Sequence, residues 1–197
     1  MASIALTDHN ETGGAGPSVN DGTLSFGTAD PARPMYGIAG WRAGSAVGLS
    51  SYAIGGVSAT ILDTFSAQDG AGAFNHLGFV KAAVPTGTTG NVTVTLAGTV
   101  TRCQVALFRT LDDLSLFGTV IKAQGGETSP SAVTLDANTA ANGYVLAAAY
   151  AAQTGGVAAW NWSGLTEAGE WAQGASEMSV ARRHHYAGDA ARDIRRL

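Results

Sequence analysis

Residues 92–109, VTVTLAGTVTRCQVALFR, constrain the fold of this chain more than any other stretch. Apolar side chains alternate with threonine and alanine from Val92 to Leu96, and the alternation resumes at Cys103. A period of two residues places one side of a strand in a core and the other in water, as in antiparallel sheets. We therefore expect two strands here, joined by a tight turn at Ala97-Gly98-Thr99.

The same pattern continues through most of the remaining chain, with glycine-rich turns between short β-type segments. Such spacing predicts an all-β protein, an antiparallel β-sandwich of the jelly-roll kind, rather than alternating strands and helices. We expect three parts: an irregular Gly-rich N-terminal arm over 1–56, the sandwich over 57–186 and a short basic segment over 187–197. Further strands are predicted at 57–67, 77–84, 116–122, 133–135, 144–151, 157–162 and 176–186.

Both ends of the chain have the composition of docking segments. Glycines and prolines interrupt residues 1–56 too often for long elements, while Tyr36, Trp41 and Tyr52 offer large side chains that could anchor this arm on a neighbouring surface. The other end is basic and, over 187–197, has the apolar spacing of a short helix. Docking onto an acidic neighbour is favoured over nucleic acid for the arginines of this end, which are Arg182, Arg183, Arg192, Arg195 and Arg196.

The low charge of the chain points to contact with other proteins. Charged residues make up 13% of the sequence, against about 25% in typical soluble domains. Glycine, at 27 of 197 residues, takes part of their place. Because a monomeric surface normally needs more charge to remain soluble, we expect a homo-oligomer or a subunit of a larger assembly.

The sequence offers no set of residues that would predict an enzyme, a cofactor or a metal. Cys103 is the one cysteine, so no internal disulfide can form, and its strand position predicts a buried thiol. His184 and His185 are adjacent and would point to opposite faces of a strand, which disfavours a shared metal. Asp112 and Asp113 lie in a predicted turn, where aspartate is favoured for local hydrogen bonds.

One cluster of aromatic and acidic residues is a candidate binding site. Tryptophans beside carboxylates are typical of sugar-binding surfaces, because aromatic faces stack on sugar rings and carboxylates accept hydroxyl protons. Core anchors of a sandwich, an interface to another subunit and an exposed glycan platform are all compatible with the pattern. A glycan hydrolase is the least favoured alternative, since it would need a well-placed acid pair. The residues are Trp160, Trp162, Glu167, Glu170 and Trp171.

The N-terminal sequence MASIALTDHNETGG lacks the basic start and apolar run of a secretion signal, and no apolar stretch approaches the ~20 residues needed to span a bilayer. We expect a protein that is made in the cytoplasm and has no membrane partner.

Residues 84–151, together with the WSGL step at 162–165, resemble accessory structural proteins of tailed phages and gene transfer agents. The shared features are a Gly-rich N-terminal arm, a small sandwich and a strand-turn-strand of the GNVTVTLAGTVTRCQVALFR type. The resemblance implies a non-enzymatic virion component such as a head-spike or fibre-base protein, a decoration protein or a tail-tip subunit, with other virion proteins as partners. The alternative function is a carbohydrate-binding module that recognises a polysaccharide of the host surface.

Overall fold

The structure, a computed structural model, describes residues 3–12, 16–111, 134–135, 143–152, 160–173, 176–184 and 194–196, and these contain strands but no helix. The strands are β1 (Ser3–Thr12), β2 (Gly16–Ser25), β3 (Pro34–Ala43), β4 (Leu49–Ile54), β5 (Val57–Ser58), β6 (Thr60–Gln68), β7 (Phe74–Ala83), β8 (Thr89–Val100), β9 (Arg102–Leu111), β10 (Thr134–Leu135), β11 (Tyr144–Ala152), β12 (Trp162–Ser163), β13 (Thr166–Gln173), β14 (Ser176–His184) and β15 (Ile194–Arg196).

These strands form antiparallel sheets. A central sheet has the order β1-β9-β3-β7-β6, a first outer sheet the order β2-β8-β4-β5 and a second outer sheet the order β11-β14-β13. A small sheet, β10-β15-β12, completes the described part. The predicted all-β, antiparallel fold is confirmed, and its jelly-roll topology stays a prediction.

Two separate cores show that the central sheet is covered on both faces. One core joins it to the first outer sheet and contains Trp41, Tyr52 and Val94. The other joins its opposite face to the second outer sheet and contains Phe108, Tyr150 and Val180. The fold is therefore a stack of three β-layers, one more than a simple sandwich has, and its middle strands β3 and β9 are buried almost throughout.

The alternating apolar positions of residues 92–109 face a core as predicted, but the two strands do not pair with each other, and β9 is also buried on the face that was expected to be wet. Val92 and Val94 on β8 and Cys103 on β9 are fully buried in the same core. The predicted turn at Ala97-Gly98-Thr99 is wrong, because β8 continues to Val100 and pairs in the first outer sheet while β9 pairs in the central sheet. The two alternating patterns thus face each other across a core.

The N-terminal segment is the largest correction to the sequence-based prediction. Residues 1–56 contain β1 to β4, and β3 pairs with β7 on one side and β9 on the other. The predicted boundary at residue 56 therefore runs through paired strands. Local glycine and proline content suggested an irregular arm, but pairing with distant strands and burial on two faces decide the conformation.

The outcome at the C-terminal end differs as well. Ile194–Arg196 forms β15 and pairs with β10 and β12, so the expected helix over 187–197 is wrong for these three residues. The strand predicted at 116–122 and the turn acids Asp112 and Asp113 lie outside the described residues.

Glycines in β3 let both outer sheets approach the central one. A Cβ at Gly37 would lie 2.8 Å from the Tyr52 ring of the first outer sheet. A Cβ at Gly40, on the opposite face, would collide with the Tyr150 ring of the second. Neither ring could keep its place beside a larger residue, so these two glycines fix how closely the layers stack.

We predict that Gly40→Ala lowers the free energy of unfolding by about 1–3 kcal/mol, because the new methyl group displaces Tyr150 in a close-packed core. Urea titration measures the difference. Gly44→Ala is the matched control: no atom lies within 4 Å of a Cβ at that position. The control should stay within about 1 kcal/mol of the original chain. Equal stability of the two variants would contradict the close approach of the Tyr150 ring to Gly40.

Candidate functional site

The predicted aromatic and acidic cluster is divided between two faces of the second outer sheet. On the outer face, the backbone N–H of Trp160 donates to the Glu170 carboxylate at 2.9 Å, and the Trp162 Nε1–H donates to the Ser179 hydroxyl at 2.8 Å. Glu170 and Ser179 are directly opposite each other on β13 and β14. Trp160 is buried and Trp162 half-buried, so both indoles are part of the packing over this sheet.

Trp171 lies on the inner face instead. Its ring stacks on His9 of β1 with centroids 4.1 Å apart, and it packs against the core between the central and second outer sheets. Neighbouring residues on a strand point to opposite faces, which separates Trp171 from Glu170. The structure therefore does not bring all five predicted residues together.

A third carboxylate, which the sequence did not single out, joins the outer-face acids. Glu177 of β14 is buried, and its pKa is raised to about 7 by burial, by a hydrogen bond with Glu170 and by repulsion from Glu170 and Glu167. The pKa of Glu167 is raised by its partial burial and then by Glu170. Near neutral pH, Glu177 can therefore hold a proton, which lets it lie beside Glu170 in the sheet.

The aromatic residues predicted to anchor an N-terminal arm belong to the fold itself. Trp41 and Tyr52 are each 1% exposed and lie in the core between the central and first outer sheets, so their predicted docking role is wrong. Trp41 Nε1–H donates to the carbonyl of Val47, whose N–H donates to His76. Tyr36 is half-buried against the second core.

The C-terminal arginines that the structure describes also make internal contacts. Arg182 Nη1 donates to the carbonyl of Ile4, and Arg183 Nη1 donates to the carbonyl of Gly164 at 3.3 Å. Arg195 and Arg196 lie in β15, and Arg192 lies outside the described residues. Arg182 and Arg183 lie in the strand predicted at 176–186 and connect elements of the fold, whereas we had expected them to dock to a neighbouring protein.

Arg33 is the most extensively bonded side chain that sequence inspection missed. It is 1% exposed, and its guanidinium donates to backbone carbonyls in two segments. The closest acceptors are Val84 at 2.7 Å and Thr86 and Gly87 at 2.8 Å, with Gly27 at 2.9 Å. Its planar set of donors ties the loop after β2 to the loop after β7, a role that a lysine could not reproduce.

Asp21 is a buried acid inside the stack. Its side chain is fully buried, and burial raises its pKa from 3.8 to about 7. Asn10 Nδ2 donates to one carboxylate oxygen at 3.5 Å, and the other oxygen has no hydrogen-bond partner among the described residues. Burial also raises the pKa of the Tyr52 hydroxyl and the Cys103 thiol nearby. The predicted burial of that thiol is confirmed.

No three histidine, cysteine or acidic side chains in the described ranges are grouped so that they could hold a metal ion. The described part of the chain also has no helix with the length and apolar character needed to cross a membrane. No protein-family model, curated protein or solved structure matches the chain.

We predict that Arg33→Lys lowers the free energy of unfolding by about 3 kcal/mol or more, because an ammonium group cannot reach the separate carbonyls that the guanidinium joins. The matched control is Arg42→Lys, which alters a partly exposed ion pair with Asp69 and should cost about 1 kcal/mol or less. Chemical denaturation of both variants compares them. A small effect at Arg33 would show that the loops do not depend on this side chain.

We predict that Asp21→Asn makes the chain more stable at pH 8 but not at pH 4. With its folded pKa near 7, Asp21 keeps a proton that the unfolded chain releases above about pH 4. The free energy of unfolding therefore falls as pH rises from about 4 to 7, by an amount on the order of 4 kcal/mol at most. The denaturation midpoint of the variant should rise relative to that of the original chain as the pH increases across this range. A difference in stability between the two proteins that does not change with pH would contradict the raised pKa of Asp21.

Proposed function

We propose that this chain is a non-enzymatic structural subunit of a phage or phage-like particle, of the head-spike, fibre-base or decoration type, that docks to neighbouring virion proteins. The observation that carries the proposal is the use of its arginines. Each arginine whose side chain the structure describes donates to a group of the same chain, through the contacts of Arg33, Arg42, Arg102, Arg109, Arg182 and Arg183.

This use of arginine leaves a surface in which charge is sparse. The sequence has 13% charged residues, and many of the exposed positions in the first outer sheet and its loops are glycine, serine or threonine. Depletion of charge is typical of surfaces that become covered by other proteins. A rigid β-stack with such a surface suits a part that is assembled once and then stays in place, as the resemblance to accessory virion proteins also implies.

Mass spectrometry of particles purified on a density gradient from the producing cells tests this proposal. We expect the chain to co-sediment at a fixed ratio to the major capsid protein, and the ratio would distinguish a vertex or tail position from a decoration lattice. An abundant soluble host protein is the control for carry-over. Recovery of the chain only in the soluble fraction, along with that control, would overturn the assignment.

A carbohydrate-binding module is the second candidate function. It is favoured by the outer face of the second outer sheet. There the half-buried Trp162 donates to Ser179, which lies directly opposite Glu170, and the exposed Glu167 is on the same strand as Glu170. A glycan array probed with the original chain and with Trp162→Ala tests it. Binding that is lost in a folded variant would support this function, and no binding by the original chain would remove it.

A further inference from the structure

The strand β6 forms a lateral edge of the central sheet. It pairs with β7 along Thr60–Gln68, and no other described strand pairs with its free side. The opposite edge strand, β1, has β2 and β13 close beside it. The edge strand β5 of the first outer sheet has two residues. Of the two edge strands of the central sheet, β6 is therefore the more open to a further strand, with only β4 of the first outer sheet close to it among the described strands outside its own sheet.

Apolar side chains occupy this open edge. Ile61 is 37% exposed and is the one large hydrophobic residue classed as exposed in the described part of the chain. Phe65 is half-buried, yet it belongs to neither core cluster of the described residues. Asp63 is the one charged residue of β6. Natural edge strands are commonly protected by lysine, proline, short length, a bulge or an inward-pointing charge. The register shift and the charge of β6 both lie at or before Asp63, and residues 64–68 have none of these features.

An irregularity in β6 limits how another strand can pair with it. The pairing with β7 shifts between Ile61 and Asp63, so regular pairing begins at Asp63 and continues to Gln68. Within this regular part, Asp63, Phe65 and Ala67 point to one face of the central sheet. They lie opposite Phe79, Leu77 and Asn75 of β7. Because Phe79 and Leu77 pack against the second core, this is the face toward that core.

The regular part of β6 is complementary to itself in one antiparallel register. If Phe65 lies opposite Phe65 of a second copy, Thr64 lies opposite Ser66 and Asp63 lies opposite Ala67. Aromatic pairs and hydroxyl pairs across strands are stabilising, whereas like charges directly opposite are not. This register joins the rings at the centre and keeps the two Asp63 carboxylates at opposite ends. The register centred on Thr64 instead places each Asp63 against a Phe65 ring and brings the two carboxylates nearer each other.

We propose that β6 is an interface for a second copy of this chain, in which the two β6 strands pair antiparallel about a two-fold axis at Phe65 and the central sheets become continuous. The interface is isologous, so the same residues contribute from each copy. It does not depend on the particle assignment, since self-pairing of this edge follows from its own side chains and register.

Cysteine cross-linking of the full chain tests both the interface and its register. Directly opposite residues in an antiparallel pair have Cα atoms about 4.5–5.5 Å apart, within the range of a disulfide. We expect Phe65→Cys to form disulfide-linked dimers under mild oxidation, and Cys103 will not interfere because it is fully buried. Ala67→Cys is the matched control on the same face. Its two copies would lie about 14 Å apart, by strand geometry, and should not cross-link.

A mixed sample gives a second test of the register. Asp63→Cys and Ala67→Cys should each remain unlinked alone but form a heterodimer when combined. Cross-linking of Ala67→Cys alone, or no heterodimer in the mixed sample, in which both chains keep Phe65, would overturn the proposed pairing.

Sedimentation equilibrium tests self-association without cross-linking. We expect the original chain to show a concentration-dependent dimer and Phe65→Lys to be monomeric, because that variant places two ammonium groups opposite each other. An unchanged urea midpoint at low protein concentration would show that Phe65→Lys still folds. An original chain that is monomeric at every concentration would refute the interface.

Discussion

The close approach of three β-sheets is the constraint on which the rest of this structure depends. The middle strand β3 has an outer sheet on each face, and Gly37 and Gly40 leave the space that the Tyr52 and Tyr150 rings occupy. Burial on both faces explains why β3 combines small residues with large apolar ones, unlike a strand with one wet face. The other strands of the central sheet, including the open edge β6, take their positions from this arrangement.

Buried polar groups follow from the same packing. A stack with two cores has many strand ends and loops inside it, and their backbone carbonyls need donors. Arg33 supplies several of these donors at once, and Trp41 and His76 together bind Val47. Asp21 and Glu177, in contrast, are acids whose pKa is raised to about 7, in each case mainly by burial. Arg33, Asp21 and Glu177 thus belong to the interior of the stack.

The sequence was sufficient to predict the fold class but not the arrangement of the layers. Alternation identified the buried face of β8, because that signal depends on burial alone, but it missed that β9 is buried on both faces. It could not show that the two strands lie in different sheets, since pairing is decided by contacts between distant segments. The N-terminal strands were missed for a related reason: glycines that allow close packing in β3 look locally like turn residues. The residues of the candidate site lie on two faces of a sheet because the adjacent Glu170 and Trp171 point in opposite directions. The bonding of Arg33 was missed because nothing in the local sequence indicates it.

Hydrogen–deuterium exchange followed by mass spectrometry is the most direct test of the three-layer stack. Because β3 is paired on both sides and covered on both faces, the peptide over Pro34–Ala43 should be among the slowest to exchange, together with that over Arg102–Leu111. The edge strand β6 should exchange faster in the monomer. If residues 34–43 exchanged within seconds, as a Gly-rich arm on the surface would, the stack described here would be wrong.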